Sequence, residues 1–197
     1  MSRAPGSLRL SLGLPLLAGV VGGALAYVGG YALSFAILIL DVILDGGGSP
    51  GGGTGAESQV LDVVGTLYTE AHFLPLQVDS ARGTEPYHLL DTVNLAFPNL
   101  VYHLVPVAVL LLAGFLVASR VEPESRLAGA RAGATVVLAY LPLVALGAGT
   151  FAWGGEIFGN AFTISIPLLE AVVRAGLLYP LLLGSVGGLA AHEVATD

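Results

Sequence analysis

Four long apolar stretches constrain this chain more than any other feature. They run over Leu12–Leu40, Leu100–Ala118, Ala132–Trp153 and Ile164–Ala191. Each is near or above the ~20 residues that a helix needs to cross a hydrocarbon core. Backbone in lipid must satisfy its own hydrogen bonds, which leaves helices and closed barrels. These runs are too long and too continuous for barrel strands. The expected fold class is all-α: an integral membrane bundle of four transmembrane helices. One membrane domain, residues 1–197, accounts for the length.

Composition agrees with this reading. Hydrophobic residues make up 55% of the chain and charged residues only 11%, a membrane balance. With no cysteine, disulfides, thiolate metal sites and thiol catalysis are excluded. All seven basic residues are arginine, against 14 acids, for a net charge of −7. A nucleic-acid partner would need a basic face, and the chain has none.

Arginines near the helix ends set the orientation. With the N-terminus cytoplasmic, Arg3, Arg9, Arg120, Arg126 and Arg131 lie inside, and Arg82 and Arg174 outside. Acids run the other way: Asp41, Asp45, Glu57, Asp62, Glu70, Asp79, Glu85, Asp91, Glu156 and Glu170 fall outside or at the outer boundary. The expectation is a cell-membrane protein with both termini cytoplasmic. Arg3, Arg9 and the small-x-small run Ala24-Leu25-Ala26 resemble parts of a signal peptide. The apolar run continues without a break through Tyr27 to Leu40, so an uncleaved first helix is the preferred reading.

That first helix is overlong, about 43 Å against a core of ~30 Å. It is expected to tilt, to kink near Gly29-Gly30, or to project with Asp41 and Asp45 above the membrane. The outer segment, residues 41–97, begins with a flexible glycine-rich tether over Gly46–Gly55. Glu57–Leu74 has apolar residues at helical spacing (Val60, Val64, Leu67, Tyr68), with Asp62 and Glu70 as its polar side. It is expected to lie flat on the outer interface, Pro75 ending it. Residues 76–85 read as loop, and Pro86–Phe97 as a second short helix. Trp153, Phe151 and Phe158 fit an outer aromatic belt. One or two short amphipathic helices on the outer face thus complete the fold.

Small residues recur at helix-packing spacing: Gly19 with Gly23, Gly22-Ala26-Gly30, Gly129 with Gly133, and Gly184 with Gly188. Such stripes serve homodimerisation or packing within one chain. Tyrosines stand before prolines in three spans, at Tyr102 with Pro106, Tyr140 with Pro142 and Tyr179 with Pro180. They could line a pocket at broken helices, or simply occupy seams. His103 lies inside a span, where an ionisable group is either functional or a neutral residue bonded to a neighbour. Glu170 and Arg174 share a face at i, i+4, as an anchoring pair or a gate. His72 falls one turn after Tyr68 and is expected to approach His103 or the Glu170–Arg174 pair. No closed metal-ligand spacing or nucleophile motif is present, so no catalytic, cofactor or metal residue is expected.

The run Leu67-Tyr68-Thr69-Glu70-Ala71-His72-Phe73-Leu74 resembles an "FYNAHFV" segment in a family of small haloarchaeal membrane proteins. The run Ala139–Ala148 is similar to that family's "GYLPLAVLGA" segment. Here Ala139 stands where the family has glycine, and Thr69-Glu70 where it has Tyr-Asn. The resemblance implies a haloarchaeal source and the same topology, carries a loose transporter label, and offers no catalytic residues. The lysine-free, acid-rich composition suits a high-salt cell. The function expected is a non-enzymatic helix-bundle module that self-associates or binds a membrane partner, with the lipid bilayer as its surroundings. The alternative is a small transporter or channel-like permease.

Overall fold

The structure, a computed structural model, describes residues 6–44, 56–93, 95–157 and 159–196. The glycine-rich tether and Phe158 lie outside the described residues. In chain order the elements are α1 (Gly6–Leu44), α2 (Ala56–Glu70), β1 (Leu76–Ser80), β2 (Gly83–Tyr87), α3 (Leu89–Thr92) and α4 (Asn99–Val121). There follow α5 (Arg126–Ala134), α6 (Val137–Thr150), β3 (Ala152–Ile157), β4 (Asn160–Ser165) and α7 (Leu168–Glu170). A π-helical stretch, Ala171–Leu178, runs on into α8 (Tyr179–Thr196).

Four helices have the length and apolarity to cross a membrane: Pro15–Leu44, Asn99–Val121, Arg126–Thr150 and Leu168–Val194. Their surfaces carry exposed Leu16, Leu25, Leu104, Leu112, Leu146 and Leu182. Large apolar side chains facing outward suit a lipid solvent. α1 is continuous through Gly29-Gly30. The third span holds an irregular turn between α5 and α6, where the Thr135 hydroxyl bonds the Ala132 carbonyl at 2.5 Å. That back-bonding competes with the helical ladder. The π stretch precedes Pro180, whose ring and missing N–H disturb the preceding turn, and a widened turn accommodates both.

The all-α expectation needs correction. The chain also forms a four-stranded antiparallel sheet in the order β2-β1-β4-β3. Trp153 and Ile164, read as span ends, are paired with each other in β3 and β4. α6 stops at Thr150, and the Gly154-Gly155 pair that follows is poor helix material. Residues 76–85, read as loop, hold β1 and the start of β2. The second short helix shrinks to Leu89–Thr92, because Pro86 sits in the edge strand β2, opposite Gln77. Proline is tolerated there because an edge strand has one unpaired side.

The chain divides into two compact units. The first comprises residues 1–28, 107–143 and 176–197, the second residues 29–106 and 144–175. In the first, glycines bring helix backbones together. A Cβ on Gly133 would collide with the Gly184 carbonyl, and one on Gly188 with the Gly129 carbonyl. Gly114 faces Gly184 in the same way, Gly23 faces the Val136 carbonyl, and Gly19 meets Thr135. The small stripes are therefore occupied by contacts within this chain, where close backbone approach replaces the hydrophobic driving force that lipid lacks. Tyr140 packs edge-on to Tyr27, with ring centroids 5.6 Å apart. At the helix ends, Arg126 Nε lies 2.5 Å from Glu193 Oε1.

Gly23 and Gly29 give a matched test, because nothing lies within 4 Å of a Cβ built on Gly29. Gly29→Ala is expected to leave the melting temperature in detergent unchanged or slightly raised, since alanine favours a helix interior by up to about 1 kcal/mol. Gly23→Ala is expected to lower it clearly. Equal melting temperatures for the two variants would contradict the close contact at Gly23.

Candidate functional site

Among the described residues, the buried polar side chains all lie in the second unit, and Thr66, Thr69, Glu70 and His72 cluster at the end of α2. Every residue from Val63 to Glu70 is buried, which corrects the expectation of a helix lying flat with one wet face. The reason is packing on several sides. Tyr68 fits against Gly30, and Phe151 against Gly65. Trp153 Nε1 donates to the Thr66 hydroxyl at 3.0 Å.

Glu70, expected to face water, is 3% exposed. Its Oε2 accepts from the Leu90 N–H at 3.1 Å, and Oε1 lies 3.6 Å from His88 Nδ1. Burial raises its pKa to about 7; the Leu90 and Leu89 N–H groups oppose that rise, and Asp91 adds to it. Asp41, expected at the outer boundary or projecting above it, is 2% exposed. It accepts from the Phe97 N–H at 2.8 Å and from the Tyr102 hydroxyl. The sequence carried a signal for this position: Gly23, Ala26, Gly30, Ser34, Leu38 and Asp41 form one buried stripe on α1, extending the small-residue spacing already noted.

His72 is buried, and its Nδ1 lies 2.9 Å from the Tyr68 carbonyl. That nitrogen therefore carries the proton and donates. Burial lowers its pKa to about 4; the Tyr68 and Thr69 carbonyls oppose this, and neighbouring His103 adds to it. His103 is half-buried in α4, with its Nδ1 3.0 Å from the Ala71 carbonyl. Phe73 stacks on its ring at 4.0 Å between centroids, the two planes 7° apart. Phe73 takes a positive φ of 56°, which is uncommon for a bulky residue. The stacking and the Ala71 bond hold the segment Ala71-His72-Phe73 against α4.

Of the remaining candidates, Tyr102 joins this cluster through Asp41, whereas Tyr140 and Tyr179 belong to the first unit. Glu170 and Arg174 are exposed, and the ion pairs among the described residues are Glu70–His88 and Arg126–Glu193. The π-helical stretch begins at Ala171, directly after Glu170. Among the described residues, no three His, Asp or Glu side chains are grouped to hold a metal ion.

A second feature escaped the sequence reading because it depends on the sheet. A cavity of about 570 Å³ lies over one sheet face, lined by Val78, Phe162, Ile164 and Trp153, with Val63 of α2 and Leu89 of α3 across from them. Strand alternation explains the lining. Val78 opposes Ile164, Ser80 opposes Phe162 and Trp153 opposes Ile164 in register, so these side chains share one face.

Four apolar helices with a small strand-built appendage are compatible with a membrane protein. The chain belongs to a family of unknown function, DUF7978, whose model matches residues 2–195. No curated protein and no solved structure matches it.

The two shifted groups give opposite pH dependences. Glu70 holds its proton more tightly when folded, so its contribution to stability is fully present below about pH 4.5 and is lost as pH rises through about 7. His72 holds its proton less tightly when folded, so its contribution is present above about pH 6.5 and is lost as pH falls through about 4. Glutamine mimics the protonated carboxyl, so Glu70→Gln is expected to melt close to wild type at pH 4.5, with the wild type falling progressively below it up to about pH 7. For His72→Gln the melting-temperature difference from wild type should grow from about pH 4 to 6.5. A difference independent of pH for either variant would show that its environment does not perturb the group.

Proposed function

We propose that this protein is a non-enzymatic, multi-pass membrane protein in which the second unit is a ligand-binding module and the first a helical anchor. One contrast carries the reading. The groups best suited to acid–base chemistry are committed to the backbone: Glu70 to Leu90, His72 to Tyr68, His103 to Ala71, and Asp41 to Phe97. Meanwhile a preformed, mostly apolar cavity stands over the sheet, with a volume in the range of small-molecule sites, roughly 300–1,000 Å³. The glycine stripes are used within the chain, which moves the partner-binding role from helix self-association to this unit.

We place both termini in the cytoplasm and the two hairpins outside, on the arginine asymmetry. The haloarchaeal source implied by the resemblance fits the same acidic composition. A small transporter remains the second reading. One observation favours it: Ser34, whose buried hydroxyl lacks a hydrogen-bond partner among the described residues, shares the α1 stripe with Asp41.

Trp153 is the single tryptophan of the chain and lines the cavity. In phosphatidylcholine nanodiscs, at least one of a neutral, an anionic and a cationic dodecyl probe is expected to shift Trp153 emission saturably. The shift should vanish in Val78→Phe, or in Ser80→Leu should that variant fold better. Unchanged emission with all three probes would sink the binding reading. The chain lacks cysteine, so orientation is read from Ala81→Cys and Glu124→Cys in intact cells. An impermeant maleimide is expected to label the first alone, and labelling of the second alone would invert the topology.

A further inference from the structure

We infer that the sheet cavity takes a single-chain anionic amphiphile, a long-chain carboxylate, with its head at Arg82 and its tail against Trp153 and Ile164. The inference rests on the binding reading above and adds the ligand's chemistry.

The geometry of the hairpins places the mouth. β1 ends at Ser80 and β4 begins at Asn160, and the two strands are antiparallel with Ser80 opposite Phe162. The turns at Ala81-Arg82 and before Asn160 therefore share one end of the sheet. Ser80, Ala81, Arg82, Asn160 and Ala161 line the cavity at this end and are all exposed. Ile164, Leu89 and Val63 line its depth and are buried. The cavity is thus polar at its rim and apolar inside, the profile of an amphiphile lying tail-inward.

Charge fixes the sign of the head. Arg82 is the one charged residue among the described residues that line the cavity. Its guanidinium takes part in neither ion pair found among them. It is one of two arginines in the second unit, with Arg174, against ten acids. Asp79 of β1 alternates to the opposite sheet face, where it accepts from Thr84, and Glu85 of β2, opposite Val78 in register, shares the cavity's face without lining the cavity. An exposed cation at the rim of an apolar cavity favours an anionic head at that point, against the net negative charge of the rest of the unit. Arginine's planar fork suits a carboxylate. The turn also holds Arg82 in place, because its N–H donates to the Ser80 hydroxyl at 3.2 Å.

The test uses Trp153 emission in phosphatidylcholine nanodiscs, titrated with dodecanoate, 1-dodecanol and dodecyltrimethylammonium. Dodecanoate is expected to bind at least tenfold more tightly than either of the others. Arg82→Gln should weaken dodecanoate about tenfold, as loss of one charge-assisted contact implies, and leave dodecanol unchanged. Arg82→Lys should restore most of the affinity. Equal affinities for dodecanoate and dodecanol, or an Arg82→Gln variant with wild-type dodecanoate affinity, would overturn the anionic assignment while leaving the cavity a binding site. Silence with every probe would overturn the binding reading itself. Nanodiscs containing brominated phosphatidylglycerol supply the last arm. Quenching of Trp153 that blocks dodecanoate would assign the site to a membrane phospholipid and overturn the free carboxylate.

Discussion

The pairing of β1 with β4 is the interaction on which the second unit depends. It joins Gln77–Ser80 to Phe162–Ser165, segments far apart in the chain. Either hairpin alone would be marginal in water, since two strands cannot cover a hydrophobic face. Four strands create that face, and α2 and α3 lie over it. Two bonds tie α2 to the far edge: Trp153 to Thr66, and the Gly154 N–H to Gln59 Oε1 at 3.2 Å. The two edge strands are managed differently. β2 carries Pro86 and charged Glu85, features that discourage further strand pairing. β3 is short and rich in glycine. The sheet therefore ends at four strands with a cavity beneath it.

Much of this was legible in the chain. The four spans announced themselves by length and apolarity, and the structure moved their ends by several residues. The sheet was hidden for identifiable reasons. β1 reads Leu-Gln-Val-Asp-Ser, an alternation too short to outweigh the charges around it. Gly83 at φ 117° marks the tight turn that follows, yet a lone glycine is a weak turn signal. β3 begins two residues after α6 ends, so Ala152 and Trp153 looked like the last residues of a span. Pro86, sound evidence for a helix start in isolation, instead occupies an edge strand. In each case a local signal was overridden by pairing with a distant segment, which no local window contains.

The same explanation covers the polar site. His72 and His103 were singled out from position and residue type, and the structure brings both to the end of α2. Asp41 and Glu70 were assigned to the outer boundary or to water because isolated carboxylates avoid burial. Their actual partners are the backbone N–H groups of Phe97 and Leu90, in a segment whose fold was misread, and the hydroxyl of Tyr102 in α4, a span that was legible. Once Leu89–Thr92 is a single helical turn, the Leu90 N–H is left without an intrahelical acceptor. A buried carboxylate then supplies what that donor lacks. The proton that Glu70 retains to about pH 7 follows from the same arrangement, because the two backbone donors, Leu90 and Leu89, offset only part of the cost of desolvating the charge.

The two units solve opposite solvation problems. The first has little hydrophobic effect available if its surroundings are lipid, so it relies on contact: Gly133 on Gly184, Gly129 on Gly188, Gly23 on Val136. Such packing consumes the small residues that a dimer interface would otherwise use, and leaves large side chains such as Leu116, Leu138 and Leu182 outward. The second unit has polar connections to bury, and gives most of them backbone or hydroxyl partners, Ser34 being the exception among the described residues. Every buried acid among the described residues of the second unit has been given a donor. Arg82 and Arg174, the two arginines of this unit, are exposed and belong to neither ion pair found among the described residues. What distinguishes Arg82 from the equally exposed Arg174 is its place at the rim of an apolar cavity, and it is this placement that the proposed anion would use.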